Sequence, residues 1–319
     1  EYNMVGKVTP YDTLSGSLLP AYMGYSHFKA PNECLKDAFD WVSGKTLDNF
    51  TQSEAMKWGD VLEPVVAQQA SIRLGLGNPR TKYEKAIFHE EWPLAVSLDA
   101  TLDGDGRELH LDWDKGIIPV NQDSVVLEGR GCLEIKITGQ DAENKPPIYR
   151  GVLQLQAQMA CTHSTWGCIA VLYKGTELRL FLYGIDKALQ AQIKEASYDF
   201  KERVEKYRLN EETDWLPMSS TKEATVIYDE ADDEIVQLPE LSGLVAEVVE
   251  LKDKIKESHD RIDTLQATIM ESMRDSKTAI AGDYKVTWPM LNYKAQPEKI
   301  VPAKNAYSIR QSKLRIKQL

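Results

Sequence analysis

Glu134 and Lys136 stand two residues apart in the run Val125-Val126-Leu127-Glu128-Gly129-Arg130-Gly131-Cys132-Leu133-Glu134-Ile135-Lys136-Ile137. A strand sends alternate side chains to opposite faces. The carboxylate and the ammonium therefore share one face, and Leu133, Ile135 and Ile137 take the other. A carboxylate able to hold a divalent ion, beside a lysine able to stabilise hydroxide or phosphate charge, suits metal-assisted phosphodiester hydrolysis. Most Glu-x-Lys triplets are solvated pairs on half-exposed strands, so this reading needs partners elsewhere in the chain. An upstream aspartate is the first of them. Trp92–Leu98 reads as an apolar strand that ends in Asp99. Its rigid end would hold that carboxylate beside the next core strand. Asp112, Asp114 and Asp123 are rivals, but they sit in a polar, glycine-punctuated stretch, 103–124. Glu63 lies inside an apolar helical pattern, where a carboxylate is costly unless paired or bound to metal.

The elements that position these groups can be read in order. Residues 13–24 form a turn into a short helix that Ser15 or Ser17 could cap. Pro31-Asn32 opens a second helix that Gly44 ends. Ser53 caps a long helix to Leu74, followed by Gly75 and Gly77, with Met56, Gly59, Val61, Leu62, Val65, Val66 and Ala70 as a wide apolar face. Strands are expected over 84–89 and 92–98, with 103–124 as a hairpin excursion between core strands. A glutamine-rich helix, 148–163, carries Gln154, Gln156 and Gln158. Trp166–Tyr173 and Glu177–Tyr183 make a hairpin about Lys174-Gly175-Thr176, and Asp186 caps a helix to about Arg208. The order predicts an α/β core with a mixed central sheet flanked by helices.

Residues 209–238 are acidic and irregular, and read as a linker between a core at 1–208 and a C-terminal part at 239–319. Leu241, Leu244, Val248, Leu251, Ile255, Ser258, Ile262, Leu265, Ile269 and Ser272 then recur at alternating spacings of three and four. That is the seam of a long, coiled-coil-like helix with two polar interruptions. A turn at Gly282-Asp283, a small strand at 284–290 and a basic tail follow.

Formal net charge is −11 over 319 residues, yet 277–319 hold nine Lys/Arg against two Asp/Glu. The tail is thus locally basic, and the total charge alone gives no argument for a nucleic-acid partner. Cys34, Cys132, Cys161 and Cys168 are too scattered for a disulfide framework, and Cys161, His163 and Cys168 fit no zinc spacing. Without a signal-peptide pattern or a run long enough to span a bilayer, a reduced cytoplasmic protein with no membrane partner is expected.

Taken together, Ser17 through Gly24, Gly59 with Glu63, Ser97-Leu98-Asp99, Leu133-Glu134-Ile135-Lys136 and Gln154-Leu155-Gln156 before Met159 resemble, in that order, the lambda-exonuclease-like, YqaJ-type viral recombinases. The resemblance covers residues 12–205, and the C-terminal part looks like the extension that some YqaJ-type members carry. It implies the restriction-endonuclease-like PD-(D/E)xK fold. It implies that Asp99 and Glu134 bind metal with help from the Ile135 carbonyl, and that Lys136 is catalytic. Gln154 would order Lys136 or the attacking water, Glu63 would be an accessory acid, and Ser17 and Ser97 would contact a 5′-phosphate. Lys7, Lys29 and Arg150 are open candidates for the family's phosphate-binding arginine. The segment between Asp99 and Glu134 is longer here than in compact members.

By this resemblance the activity expected is 5′→3′ double-strand DNA exonuclease action. It would be Mg²⁺-dependent with Mn²⁺ as substitute, start at duplex ends, and leave 3′ single strands for an annealing protein during phage-type recombination in a bacterial host cell. The assembly expected is a homotrimeric ring. A restriction-type endonuclease of the same fold and a catalytically inactive DNA-binding scaffold are the competing expectations.

Overall fold

The computed structural model describes residues 9–45, 47, 52–81, 83, 85–209, 213–230 and 233–290. The chain divides into two compact units, Glu1–Ile227 and Tyr228–Leu319.

In the first unit, β1 (Leu14–Ser15) leads to α1 (Leu19–Tyr22), α2 (Pro31–Val42) and α3 (Glu54–Leu74). Short strands follow: β2 (Ile87–Phe88), β3 (Leu94–Val96), β4 (Ala100–Asp103), β5 (Glu108–His110), β6 (Ile117–Pro119) and β7 (Ser124–Val126). Then come β8 (Arg130–Thr138), a wide helical turn at Ile148–Val152, α4 (Leu153–Thr162), β9 (Trp166–Tyr173), β10 (Glu177–Gly184), α5 (Lys187–Arg208) and α6 (Thr221–Ile227).

Helix ends follow local chemistry. Ser53 Oγ accepts the Met56 N–H at the start of α3, and Gly75 ends it in the left-handed region at φ 70°. Asp186 accepts the Leu189 N–H at the start of α5. Ser15 and Ser17, expected as caps, cap nothing: the residue at the N-cap of α1 is Leu18, which offers no side-chain bond, and Ser15 is drawn into β1, parallel to β3.

The main sheet has the order β4-β8-β9-β10-β6. β8 runs antiparallel to β4 and parallel to β9, β9 antiparallel to β10, and β10 parallel to β6, so the sheet is mixed as expected. A smaller sheet has the order β1-β3-β2. β9 is buried along nearly all its length, which explains its unbroken apolar sequence. The segment 103–124 corrects one expectation. Rather than standing outside the core as an excursion, it returns through β6 to form an edge of the main sheet, with Ile117 beside Leu180.

Each face of the main sheet has its own core. Leu133 and Ile135 of β8 lie with Val66, Ala67, Ala70 and Leu74 of α3. Ile169, Val171, Phe181 and Tyr183 lie with Leu155 and Met159 of α4 and Ile193 and Phe200 of α5. The apolar face expected for α3 is half realised, since Met56, Val61 and Val65 stay exposed. Gly167 sets the depth of α4. A Cβ there would fall 2.7 Å from Leu155 Cδ1 and 3.1 Å from Met159 Sδ. Glycine thus lets the helix sink onto the sheet and bury Leu155 completely, worth roughly 1.5–3 kcal/mol.

The loop between β8 and the Ile148–Val152 turn is laced by cations. Arg150 holds Glu143 and Gln140, Lys174 pairs with Asp141, and Arg179 donates to Glu143 O at 2.8 Å and Asn144 Oδ1 at 2.9 Å. Lys145 reaches Asn121 Oδ1 at 2.8 Å.

The expected linker, 209–238, is partly docked. Helix α6 packs on α2, and Glu223 is buried. Asn32 N–H donates to Glu223 Oε1 at 2.9 Å, and Asn32 Nδ2 donates to Leu216 O at 2.8 Å. Ser219 N–H and Oγ donate to Glu223 Oε2 at 2.6 and 2.7 Å. Sequence composition could not show a network whose two halves lie some 190 residues apart.

In the second unit, α7 (Ser242–Met273) is followed by a hairpin of β11 (Thr278–Ala281) and β12 (Tyr284–Thr287) about Gly282. The expected basic tail, including Lys304, Arg310, Lys313, Arg315 and Lys317, lies outside the described residues.

Candidate active site

Two periodicities build the site. Glu134 and Lys136 alternate onto one face of β8, while Gln154 and Gln158, four residues apart, share one face of α4. The strand and the helix meet so that the pairs match. Lys136 Nζ donates to Gln154 Oε1 at 3.3 Å, and Gln158 Nε2 donates to Glu134 Oε2 at 2.7 Å. Lys136 Nζ also sits 2.5 Å from Glu134 Oε1, and among the described residues that buried oxygen has no hydrogen bond beyond this ion pair. Gly151, at φ 86°, closes the pocket over Glu134, since a Cβ there would lie 3.2 Å from Glu134 Cγ.

Asp99 enters from the short connection between β3 and β4. Its Oδ2 accepts the Ile135 N–H at 2.8 Å, a bond that draws its carboxylate to the middle of β8. Of the rivals, Asp114 and Asp123 are exposed, and Asp112 accepts the Lys115 N–H in its own turn.

The charges explain one another. Burial, then Asp99, pushes Glu134 up to about 7 against the pull of Lys136 and Gln158. Burial raises Asp99, opposed by Lys136 and the Ile135 N–H. Glu63 is pushed up to about 7 by burial, by Asp99 and by Asp60, with Lys136 opposing. Burial lowers Lys136, but Glu134, Asp99 and Glu63 outweigh it and hold the ammonium charged. Glu63 therefore shares the field of the site.

These donors fit a hard divalent cation. Two adjacent carboxylates, one of them fully buried, share a single ammonium, and burial with mutual repulsion opposes their charging. Among the described residues no group of three or more His, Cys, Asp or Glu side chains forms a metal cage. Mg²⁺ does not need one, because it commonly takes one or two carboxylates and completes its octahedron with water and phosphate oxygens.

Ser17 and Ser97 lie on segments that border this cluster. Ser97 O accepts a 2.9 Å bond from Gln158 Nε2. Gly16 N–H donates to Ala95 O at 2.8 Å, and a Cβ on Gly16 would lie 3.6 Å from Gln154 Cγ. The turn bearing the exposed Ser17 therefore rests against the start of α4. Neither described candidate for a phosphate arginine is free. Arg150 is buried on Glu143 and Gln140, and Lys29 pairs with Asp37. Lys7 lies outside the described residues. The four cysteines are buried, and none of them forms a disulfide.

Gln158 is the functional candidate that the sequence reading passed over. Its signal was the four-residue step from Gln154. Its amide orientation follows from its neighbours, because a carbonyl oxygen and a carboxylate oxygen both require a donor.

Residues 11–165 match the family model of the YqaJ-like viral recombinase domain. No curated protein matches the sequence. Among solved structures, an alkaline exonuclease (LHK-Exo) from Laribacter hongkongensis matches at 18% identity, covering 63% of this chain and 91% of that chain, with a TM-score of 0.44. Its complex with dAMP matches with the same values. No helix among the described residues is long and apolar enough to cross a membrane. The span that matches the YqaJ-like viral recombinase domain, residues 11–165, carries Glu63, Asp99, Glu134, Lys136 and both glutamines of the site.

Proposed function

We propose that the chain is a metal-dependent deoxyribonuclease that digests duplex DNA from its ends in the 5′→3′ direction. The observation that carries this reading is the convergence of Asp99, Glu134 and Lys136 at the middle of β8, with Gln154 and Gln158 fixing the lysine and the glutamate. In this reading Asp99 and Glu134, with the Ile135 carbonyl, hold Mg²⁺, for which Mn²⁺ substitutes. The ion supplies Lewis acidity to the scissile phosphate and lowers the pKa of water there.

Lys136 keeps its proton at Nζ and turns it toward the attacking water and the phosphate oxygens. Gln154 Oε1 accepts from Nζ and fixes its direction. Glu63, poised near neutrality, takes up the proton that the water gives away. Attack at phosphorus breaks the bond to the 3′ oxygen, and that oxygen leaves with a solvent proton. Ser17 and Ser97 receive the terminal 5′-phosphate, which sets the polarity. The product is a 3′ single strand for a cognate annealing protein, and the nuclease unit assembles as a homotrimeric ring.

The deciding experiment sets linear, 5′-phosphorylated duplex beside closed circular duplex with Mg²⁺. Loss of the linear form alone supports the exonuclease. Cutting of the circle replaces it with an endonuclease, and no cleavage of either leaves a DNA-binding scaffold.

A further inference from the structure

We propose that α7 pairs with α7 of a second copy of this chain as a parallel, two-stranded coiled coil. The apolar seam lies open. Of the 32 residues of α7, only Met273 is buried, while Leu244, Leu251, Ile255, Ile262 and Leu265 are 46–61% exposed. In heptad terms the a positions are Leu241, Val248, Ile255, Ile262 and Ile269, and the d positions are Leu244, Leu251, Ser258, Leu265 and Ser272. β-Branched residues at a with leucine at d favour two strands in parallel, whereas isoleucine at both positions favours three.

Two details favour a like partner over an apolar groove of another kind. In a parallel, in-register pair, Glu247 at g of one copy faces Lys252 at e of the other, a complementary charge pair repeated on both sides of the seam. Neither residue makes an ion pair among the described residues. The two polar d residues are already satisfied. Ser258 Oγ donates to Lys254 O at 2.7 Å and Ser272 Oγ to Thr268 O at 2.9 Å, so both can enter the seam without an orphaned donor. A helix of this length spans about 48 Å, and on its own in water it would be held by little except its own backbone bonds.

The contact is two-fold, so the number of copies is even: two where the first units stay apart, six where rings of three also form. The test uses the full chain. Ser272→Cys places a thiol at d near one end of the seam, where only a parallel register sets the two copies face to face. Ala267→Cys, on the outer f face, is the control. The native cysteines are all buried and give little background. Under mild oxidation, Ser272→Cys should form a reducible species of two chains on a denaturing gel and Ala267→Cys should not. In light-scattering mass measurements, Ile255→Asp with Ile262→Asp should halve the mass of the full chain. An odd copy number, a monomeric parent chain, equal cross-linking at both positions, or a mass that ignores the double substitution would each overturn the pairing.

Discussion

Gln158 and Glu134 share a fully buried hydrogen bond, Nε2 to Oε2 at 2.7 Å, and the other hydrogen of the same amide reaches Ser97 O. One side chain thus ties the carboxylate of β8 to the backbone just before Asp99. Gln158→Leu should lower turnover by roughly 10–100-fold, the usual cost of losing the partner that orients a metal ligand. Mn²⁺ affinity, followed by calorimetry, should fall with it. Unchanged turnover and affinity would show that Glu134 needs no such support.

The aspartate assignment is tested by contrast. Asp99→Ala and Glu134→Ala should abolish hydrolysis, while Asp112→Ala and Asp123→Ala should leave it near the parent rate. An active Asp99→Ala beside a dead Asp112→Ala would move the site. Lys136→Ala should cost on the order of 10²–10⁴ in rate, the scale of a positioned catalytic group, with metal affinity retained.

The pH dependence of stability has a definite sign. Glu134 and Glu63 are pushed up to about 7, above the value of about 4.3 for a free glutamate. Between these values the folded chain holds protons that the unfolded chain has released. Their contribution to stability is therefore present at low pH and is lost as pH rises toward 7. A divalent cation competes with those protons, so Mg²⁺ should raise the Tm at pH 8 and hardly at all at pH 5. Thermal melts with Mg²⁺ and with EDTA at both values check this, and Glu134→Gln should shrink the difference. An equal Mg²⁺ shift at both values would place the ion elsewhere.

The boundary between the units is open to a direct trial. A chain ending at Ile227 keeps the network of Asn32, Leu216, Ser219 and Glu223, whereas one ending at Leu209 strips it from the buried Asn32. Each buried polar group left without a partner costs about 1–3 kcal/mol. The shorter chain should melt several degrees lower or fail to fold. Equal melting temperatures would return 213–227 to the status of a connector.

End recognition supplies a further trial. If Ser17 and Ser97 receive a 5′-phosphate, duplex with 5′-hydroxyl ends should be digested more slowly than phosphorylated duplex, and Ser17→Ala should narrow that gap. Equal rates on the two ends would remove the pocket.

What could be read from the sequence was what local chemistry decides. The caps at Ser53 and Asp186, the β9–β10 hairpin and the long heptad helix need only neighbours within a few residues. The shared face of Glu134 and Lys136 was legible because a strand's period is fixed before the chain folds, while the partnership of Lys136 with Gln154 was expected from the family resemblance alone. What stayed hidden depends on distant segments. β6 is three residues long in an acidic, glycine-rich stretch, and it is pairing with the distant β10 that places it in the main sheet. Ser15 pairs with β3 rather than capping α1 because Ala95 lies beside it. The tie between Gln158 and Glu134 needed the depth of α4, which is set by a side chain that Gly167 lacks.

The cation-laced loop between β8 and the turn at Ile148 has a thermodynamic consequence. Backbone left loose beside a binding surface gives up conformational entropy when a ligand arrives, about 1–2 kcal/mol for each residue that must be fixed. Here Arg150, Lys174, Arg179 and Lys145 have done that fixing during folding. The loop therefore enters any contact as a finished wall rather than as a flap, and free energy of contact made there goes into affinity instead of into ordering the protein.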